Sequence, residues 1–323
     1  MSIGTALTAK FALEYPIVSA PMGSIAGGRL AAAVSNAGAL GLVGGAYGEP
    51  DWLRTELSKA RSGTTRPWGV GLITWHATPE AVELALSYGP HAFMLSFGDP
   101  RPFVRAIKEA GCTLICQVQD TEEGKAAKAA GADVIVAQGT EAGGHGAERS
   151  TLPLVPAVVD AVAPTPVLAA GGIADGRGLA AALMLGAEGA LIGTRFYAAT
   201  EALGHGSAKE RIIAARGRDT RRTRVFDVVR QHAWPQPYTG RAIRNRFMER
   251  WGGREDDLGE TLDEEIPRFR AAVRAGNFET AMVWAGEGVD LISDVAPAGE
   301  LVRRIGAQAE ARMRRAGDLL RGT

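Results

Sequence analysis

The run Gln138-Gly139-Thr140-Glu141-Ala142-Gly143-Gly144-His145-Gly146 holds the residues best suited to chemistry. It follows an apolar stretch, Val134 to Ala137, that reads as a buried strand. A histidine among glycines at a strand end is placed to transfer a proton, since imidazole titrates near neutrality. The glycines let backbone approach a ligand closely. Two further glycine sites close apolar segments: Gly171-Gly172, ahead of a helical pattern, and Gly193-Thr194. Free N–H groups at such a junction bind phosphate. The glycines alone leave open whether the phosphate belongs to a cofactor or a substrate, and tight turns are the bland alternative.

These residues need a frame that brings distant strand ends together. Strands are expected to begin near Pro16, Ala39, Trp68, Ala92, Thr113, Asp133, Pro166 and Gly189, with helical patterns over 29–36, 51–61, 79–88, 101–110, 122–130, 154–162 and 178–185. Thr78-Pro79-Glu80 is a helix start, and Gly111 and Gly131 are helix stops. Eight β/α units in a row, with strands buried on both faces, predict an α/β fold of the TIM (β/α)8 barrel type. An open doubly wound sheet is the structural rival. In a barrel the chemistry sits at the C-terminal strand ends, here Ala20-Pro21-Met22, Gly71 through His76, Ser96 through Asp99, the His145 loop and the two glycine sites.

Beyond about residue 205 the pattern changes. An Arg-rich stretch is followed by an acidic block from Glu255 to Glu265, and such blocks pair on a solvated surface. We expect a smaller, mostly helical inserted domain over 213–288, with 1–212 and 289–323 forming the barrel. A terminal helix carrying Leu301, Ile305 and Met313 should pack back on the barrel. The loop through Trp234 and Tyr238 is expected to be neither helix nor strand.

Composition narrows the class of function. The 323 residues are 46% hydrophobic and 6% aromatic, with 42 glycines and a formal net charge of zero. No global field favours nucleic acid or an anionic membrane, and no apolar run is long enough for a membrane span. Cys112 and Cys116 lie four apart in one apolar run. On a strand that puts them about 13 Å apart, too far for a disulfide, so they read as core residues. No Cys/His cluster suggests a metal. Residues 1–10 carry no signal-peptide pattern, so a cytoplasmic location is expected. Of the other histidines, His91 is at the wrong barrel end, His205 lies in a Gly-rich connector, and His232 is a candidate lid residue.

Ala20-Pro21-Met22, Gln138 through His145, Ala170-Gly171-Gly172-Ile173 and Ile192-Gly193-Thr194-Arg195-Phe196 together resemble the nitronate monooxygenase family and its relative, the FMN-dependent enoyl-acyl-carrier-protein reductase. The resemblance runs from about residue 12 to 200. It implies FMN in a TIM barrel and oxidation of alkyl nitronates with O2. It also implies FMN contacts at Ala20, Pro21, Met22, Gln138, Gly143, Gly172, Gly193 and Thr194, and His145 as the catalytic histidine. Gly71 and Gly171 join the cofactor set by position. Trp75, His76, Trp234 and Tyr238 are expected to wall the substrate pocket. One departure stands out: many members carry Asn on strand three in a Gly-Val-Asn run that touches the flavin, where this chain has Gly69-Val70-Gly71. That leaves backbone or Thr74 to make the contact.

Three functions compete. The first is an FMN oxidase of nitronates or nitroalkanes, with His145 as base or substrate anchor. The second is an NAD(P)H-dependent FMN reductase of enoyl thioesters or quinones. The third is a non-redox barrel enzyme; a Schiff-base aldolase is disfavoured because none of Lys10, Lys59, Lys108, Lys125, Lys128 and Lys209 lies at a strand end.

Overall fold

The computed structural model describes residues 3–321. Eight parallel strands close into a barrel: β1 (Ile17–Ser19), β2 (Leu40–Ala46), β3 (Trp68–Ile73), β4 (Ala92–Ser96), β5 (Thr113–Val118), β6 (Val134–Gln138), β8 (Val167–Ala170) and β9 (Ala190–Ile192). β9 pairs back to β1 and leaves no open edge. This is the TIM barrel expected from the repeating units, and the helices between the strands start and stop within three residues of the expected positions. Their ends follow local chemistry. Thr78 caps the helix Pro79–Leu86 by accepting from the Ala81 amide. Gly131 ends the helix Thr121–Ala130 at a φ of 103°.

Strand periodicity divides the core into two layers. Val18, Leu40, Leu42, Met94, Ile115, Val136 and Leu168 fill the barrel interior, joined at the N-terminal end by Leu7 and Phe11 of the helix Ala6–Phe11. The alternate residues, including Val43, Val70, Phe93, Leu95, Cys116 and Ile135, pack outward against the helices. Cys112 and Cys116 are free and buried in this outer layer. The helix Ala298–Arg321 lays Leu301, Val302, Ile305 and Ala309 on the barrel's helical shell beside Leu30 and Leu179.

The segment 213–288 has helices at Val225–Arg230, Arg246–Trp251, Glu255–Glu260 and Leu262–Ala275, with a cluster of its own around Phe226, Phe247, Trp251, Leu258 and Phe269. Its first residues continue the helix Gly206–Ala214. It also contains strands β10 (Thr220–Thr223) and β11 (Thr239–Ile243), which sequence periodicity did not reveal. These form an antiparallel sheet with β7 (Gly144–Gly146), in the order β10-β11-β7. The histidine loop is therefore itself a short strand, with His145 opposite Gly240. Opposite charges in this region pair locally, as in Arg254–Asp257 and Arg250–Glu265. No helix among the described residues is long and apolar enough to cross a membrane.

Candidate active site

A cavity of about 260 Å³ opens at the C-terminal ends of the barrel strands. Ala20, Pro21 and Met22 after β1, Gly71 of β3 and Gln138 of β6 line it. So do Gly143 and His145, Gly171 and Gly172 after β8, and Gly193 and Thr194 after β9. Residues far apart in sequence meet here because every parallel strand delivers its C-terminal end to the same face.

The glycine sites form a cradle of backbone amides. Gly171 and Gly172 adopt φ of 111° and 70°, conformations that favour glycine. The amides of Gly171, Gly172, Gly193 and Thr194 donate to no protein group among the described residues, which leaves them for a bound anion. Glu141, the nearest acid to Gly172, is taken up by the amide and hydroxyl of Thr151 at 2.9 and 2.6 Å. The segment around Gly286 closes over the cradle: its amide donates to Thr194 Oγ1 at 3.0 Å, and a Cβ on Gly143 would lie 2.6 Å from Gly286 N.

Gln138 and Gln117 give the cavity lining a polar edge. Gln138 Oε1 accepts from Gln117 Nε2 at 3.1 Å and from Gln119 Nε2 at 2.9 Å. The Gln138 amide group is thereby oriented with its own NH2 unpaired, and Gln117 also lines the cavity. Gly71 sits where Pro21 approaches closely, since a Cβ there would be 2.4 Å from Pro21 Cγ. No side chain at 71 fits beside that ring. Thr74 stands outside the cavity lining, and its buried Oγ1 has no partner among the described residues.

His145 lies flat against Trp234, with ring centroids 3.5 Å apart and planes 4° apart. Its Nε2 is 2.9 and 3.0 Å from the two carboxylate oxygens of Asp227. The two side chains are 8% and 5% exposed. Burial holds the imidazole below its ordinary pKa, Asp227 opposes this, and Arg230 and Arg222 add to the lowering. The neutral ring therefore donates Nε2–H to Asp227 and keeps an acceptor lone pair on Nδ1, which has no protein partner among the described residues.

At the mouth, Trp234 Nε1 donates to the Tyr47 hydroxyl at 3.0 Å, and His232 stacks on Tyr47 at 4.1 Å. Burial raises the Tyr47 pKa, with Arg230 opposing. Of the residues expected to wall a substrate pocket, Trp234 lines the cavity and the other three stand behind it. Trp75 packs edge-on against Trp234 at 5.4 Å, His76 Nδ1 contacts the Tyr47 carbonyl at 3.0 Å, and Tyr238 donates to Glu123 Oε1 at 2.9 Å. Asp227, Tyr47, Arg230, Gln117 and Trp284 were not legible as site residues. Asp227 is 82 positions from His145, in a stretch whose plainest feature is its arginines. Among the described residues, no group of three or more His, Cys, Asp or Glu is placed to hold a metal ion.

A family model described as nitronate monooxygenase matches residues 4–81 and 73–308. A nitronate monooxygenase of Neurospora crassa is 35% identical, over 93% of this chain and 90% of that protein. FabK from Thermotoga maritima superposes with a TM-score of 0.87 at 33% identity, covering 99% of both chains. A nitroalkane oxidase from Streptomyces ansochromogenes gives a TM-score of 0.81 at 31% identity, over 96% of this chain and 99% of that one.

Proposed function

The chain belongs to the nitronate monooxygenase family and is an oxidoreductase, and from that premise we propose that it binds FMN and oxidises alkyl nitronates or neutral nitroalkanes with O2 to carbonyl compounds and nitrite. The free amides of Gly171, Gly172, Gly193 and Thr194 would hold the FMN phosphate. The unpaired NH2 of Gln138, with Gln117 beside it, would meet the polar edge of the ring, and Ala20, Pro21, Met22 and Gly71 its apolar surface. The chemistry that bound FMN supplies is electron transfer from substrate and onward to O2.

The protein's own part centres on His145. With Nε2–H committed to Asp227, the neutral ring offers an acceptor at Nδ1 and no donor. It would take the α proton of a neutral nitroalkane. Once protonated there, Nδ1–H would become a donor able to hold the nitronate oxygens. Trp234, Trp284 and Phe97 surround the ring and exclude water from it. The segment 213–288 would serve as the roof of a barrel made by 1–212 and 289–323, with Trp75, His76 and Tyr238 bracing its wall from behind.

The unpartnered Nδ1 of His145, a residue that lines the cavity, carries this reading, and His145→Ala tests it. Turnover of a neutral nitroalkane should fall by about 100-fold or more, the range for a lost general base. A preformed nitronate has already lost the α proton, so its turnover should fall by about tenfold or less, the low end for one lost hydrogen bond to a charged group. Equal losses at matched flavin occupancy would make His145 an anchor and not a base. Identifying the chromophore released on denaturation tests FMN. The resemblance to FabK favours one second reading, an NAD(P)H-dependent reductase of enoyl thioesters or quinones. Rapid anaerobic bleaching of the flavin by NADH or NADPH, with none by a nitronate, would establish that reading instead.

A further inference from the structure

We infer that Asp227 is a positioning residue: it accepts Nε2–H of His145 and so fixes the one imidazole tautomer and ring orientation in which Nδ1 takes a substrate proton. This rests on the reading of His145 as base.

The geometry leaves little freedom. Both Asp227 oxygens lie within 3.0 Å of Nε2, and the stack on Trp234 fixes the plane of the ring. Turning the ring over within that plane would set Cε1, which has no N–H, against the carboxylate. Moving the proton from Nε2 to Nδ1 would face two acceptors with no hydrogen between them. Both alternatives leave a buried carboxylate without its donor, which is costly.

The two residues are built into one unit. His145 is on β7, β7 pairs with β11, and β11 pairs with β10. The helix Val225–Arg230 follows β10 directly and carries Asp227. Its N-terminal turn is held by bonds from the Asp227 and Val228 amides to the Arg224 carbonyl, and by the buried Phe226. The segment that roofs the cavity thus also supplies the partner of the base.

The proton step balances within this pair. The substrate C–H bond breaks, Nδ1–H forms, and the electron pair remains on the carbon and nitro group. Nε2–H stays on the ring, and the new imidazolium lies against the Asp227 carboxylate. The charged and titratable groups facing the ring are Asp227 and Arg230 from the helix, Arg222 from β10 and His232 from the following loop. Asp227 is the anion of this set, so it favours the protonated ring against burial and the two arginines.

The test compares Asp227→Asn, Asp227→Glu and His145→Ala at matched flavin occupancy, using a neutral nitroalkane and its preformed nitronate. Asp227→Asn should lower kcat/KM for the nitroalkane by at least about 100-fold, as when the tautomer of a base is no longer held. Its acid limb should move to lower pH, because the ring has lost the anion that favoured its protonation. The nitronate should lose less than about tenfold, and Asp227→Glu should return the limb towards its original position. Equal losses on both substrates with an unmoved limb would reduce Asp227 to a structural role and overturn the inference. An active Asp227→Asn beside an inactive His145→Ala would overturn it and leave the base reading intact. An active His145→Ala would remove the base reading itself. A measurement on the unmutated holoenzyme guards against misfolded variants. Nitrogen NMR of selectively labelled histidine should find His145 protonated at Nε2 and bare at Nδ1, and the opposite tautomer would refute the inference.

Discussion

Replacing Gly71 by alanine asks one added methyl group to fit against a rigid ring. The new Cβ would lie 2.4 Å from Pro21 Cγ, 2.7 Å from Pro21 Cβ and 3.5 Å from Met94 Cβ. Carbon atoms rest about 3.5–4.0 Å apart, so Pro21 and residue 71 must separate by more than about 1 Å. Met94 is buried behind and blocks retreat into the barrel. Pro21 has no flexible end to swing away, and it lines the cavity. The displacement therefore goes towards the proposed ring site. Overpacking of this kind costs about 1–3 kcal/mol. Borne entirely by cofactor binding, that weakens FMN by about 5- to 150-fold. Two assays divide the cost: titration of apoprotein with FMN, followed by flavin fluorescence, and urea unfolding of the apoprotein. Pro21→Gly removes both colliding atoms, so the double variant should bind better than the two single losses predict, with a coupling energy above about 0.5 kcal/mol. Asparagine at 71 should do worse than alanine while Pro21 remains. Full FMN affinity and stability in Gly71→Ala, or strict additivity with Pro21→Gly, would refute the steric argument.

Further outcomes follow from the same geometry. Gly172→Asp, which adds a carboxylate at the cradle beside Glu141, should leave the protein folded but largely free of FMN, whereas uncharged Gly172→Asn should retain far more; equal binding by the two would refute a phosphate there. Burial lowers the pKa of His145, and lowers that of His232 to about 4. Between about pH 6.5 and pH 5 the unfolded chain therefore binds more protons at these histidines, and stability falls with pH. Thermal midpoints should drop across that window, and His232→Gln should flatten the drop. Burial pushes the thiols of Cys112 and Cys116 up to about 12, so neither should react with a thiol reagent at pH 8 until the protein is unfolded.

The barrel was legible in the sequence because its causes are local. Thr78-Pro79, Gly111 and Gly131 mark helix ends within a few residues of their own position, and the β/α spacing repeats eight times. The glycines of the cradle and His145 were legible because they stand directly after apolar strands or, for His145, in the loop that follows one. The sheet β10-β11-β7 was hidden, since Gly144-His145-Gly146 has no alternation and its partner strand lies in a segment that reads as mostly helical. Trp75, His76 and Tyr238 were placed one layer too far inward. Aromatic identity and a strand-end position do not say which side of Trp234 a ring occupies.

Sequence by itself determined the β/α order and the strand ends, and set paired glycines and one histidine at those ends, because each depends on residues adjacent along the chain. Only tertiary structure decided which nitrogen of that histidine is free, that Asp227 binds the other, that Pro21 occupies the space beside Gly71, and that the segment from Trp284 to Gly288 closes the cradle. Those outcomes depend on pairing and close packing between residues far apart in the chain, and no local propensity encodes them.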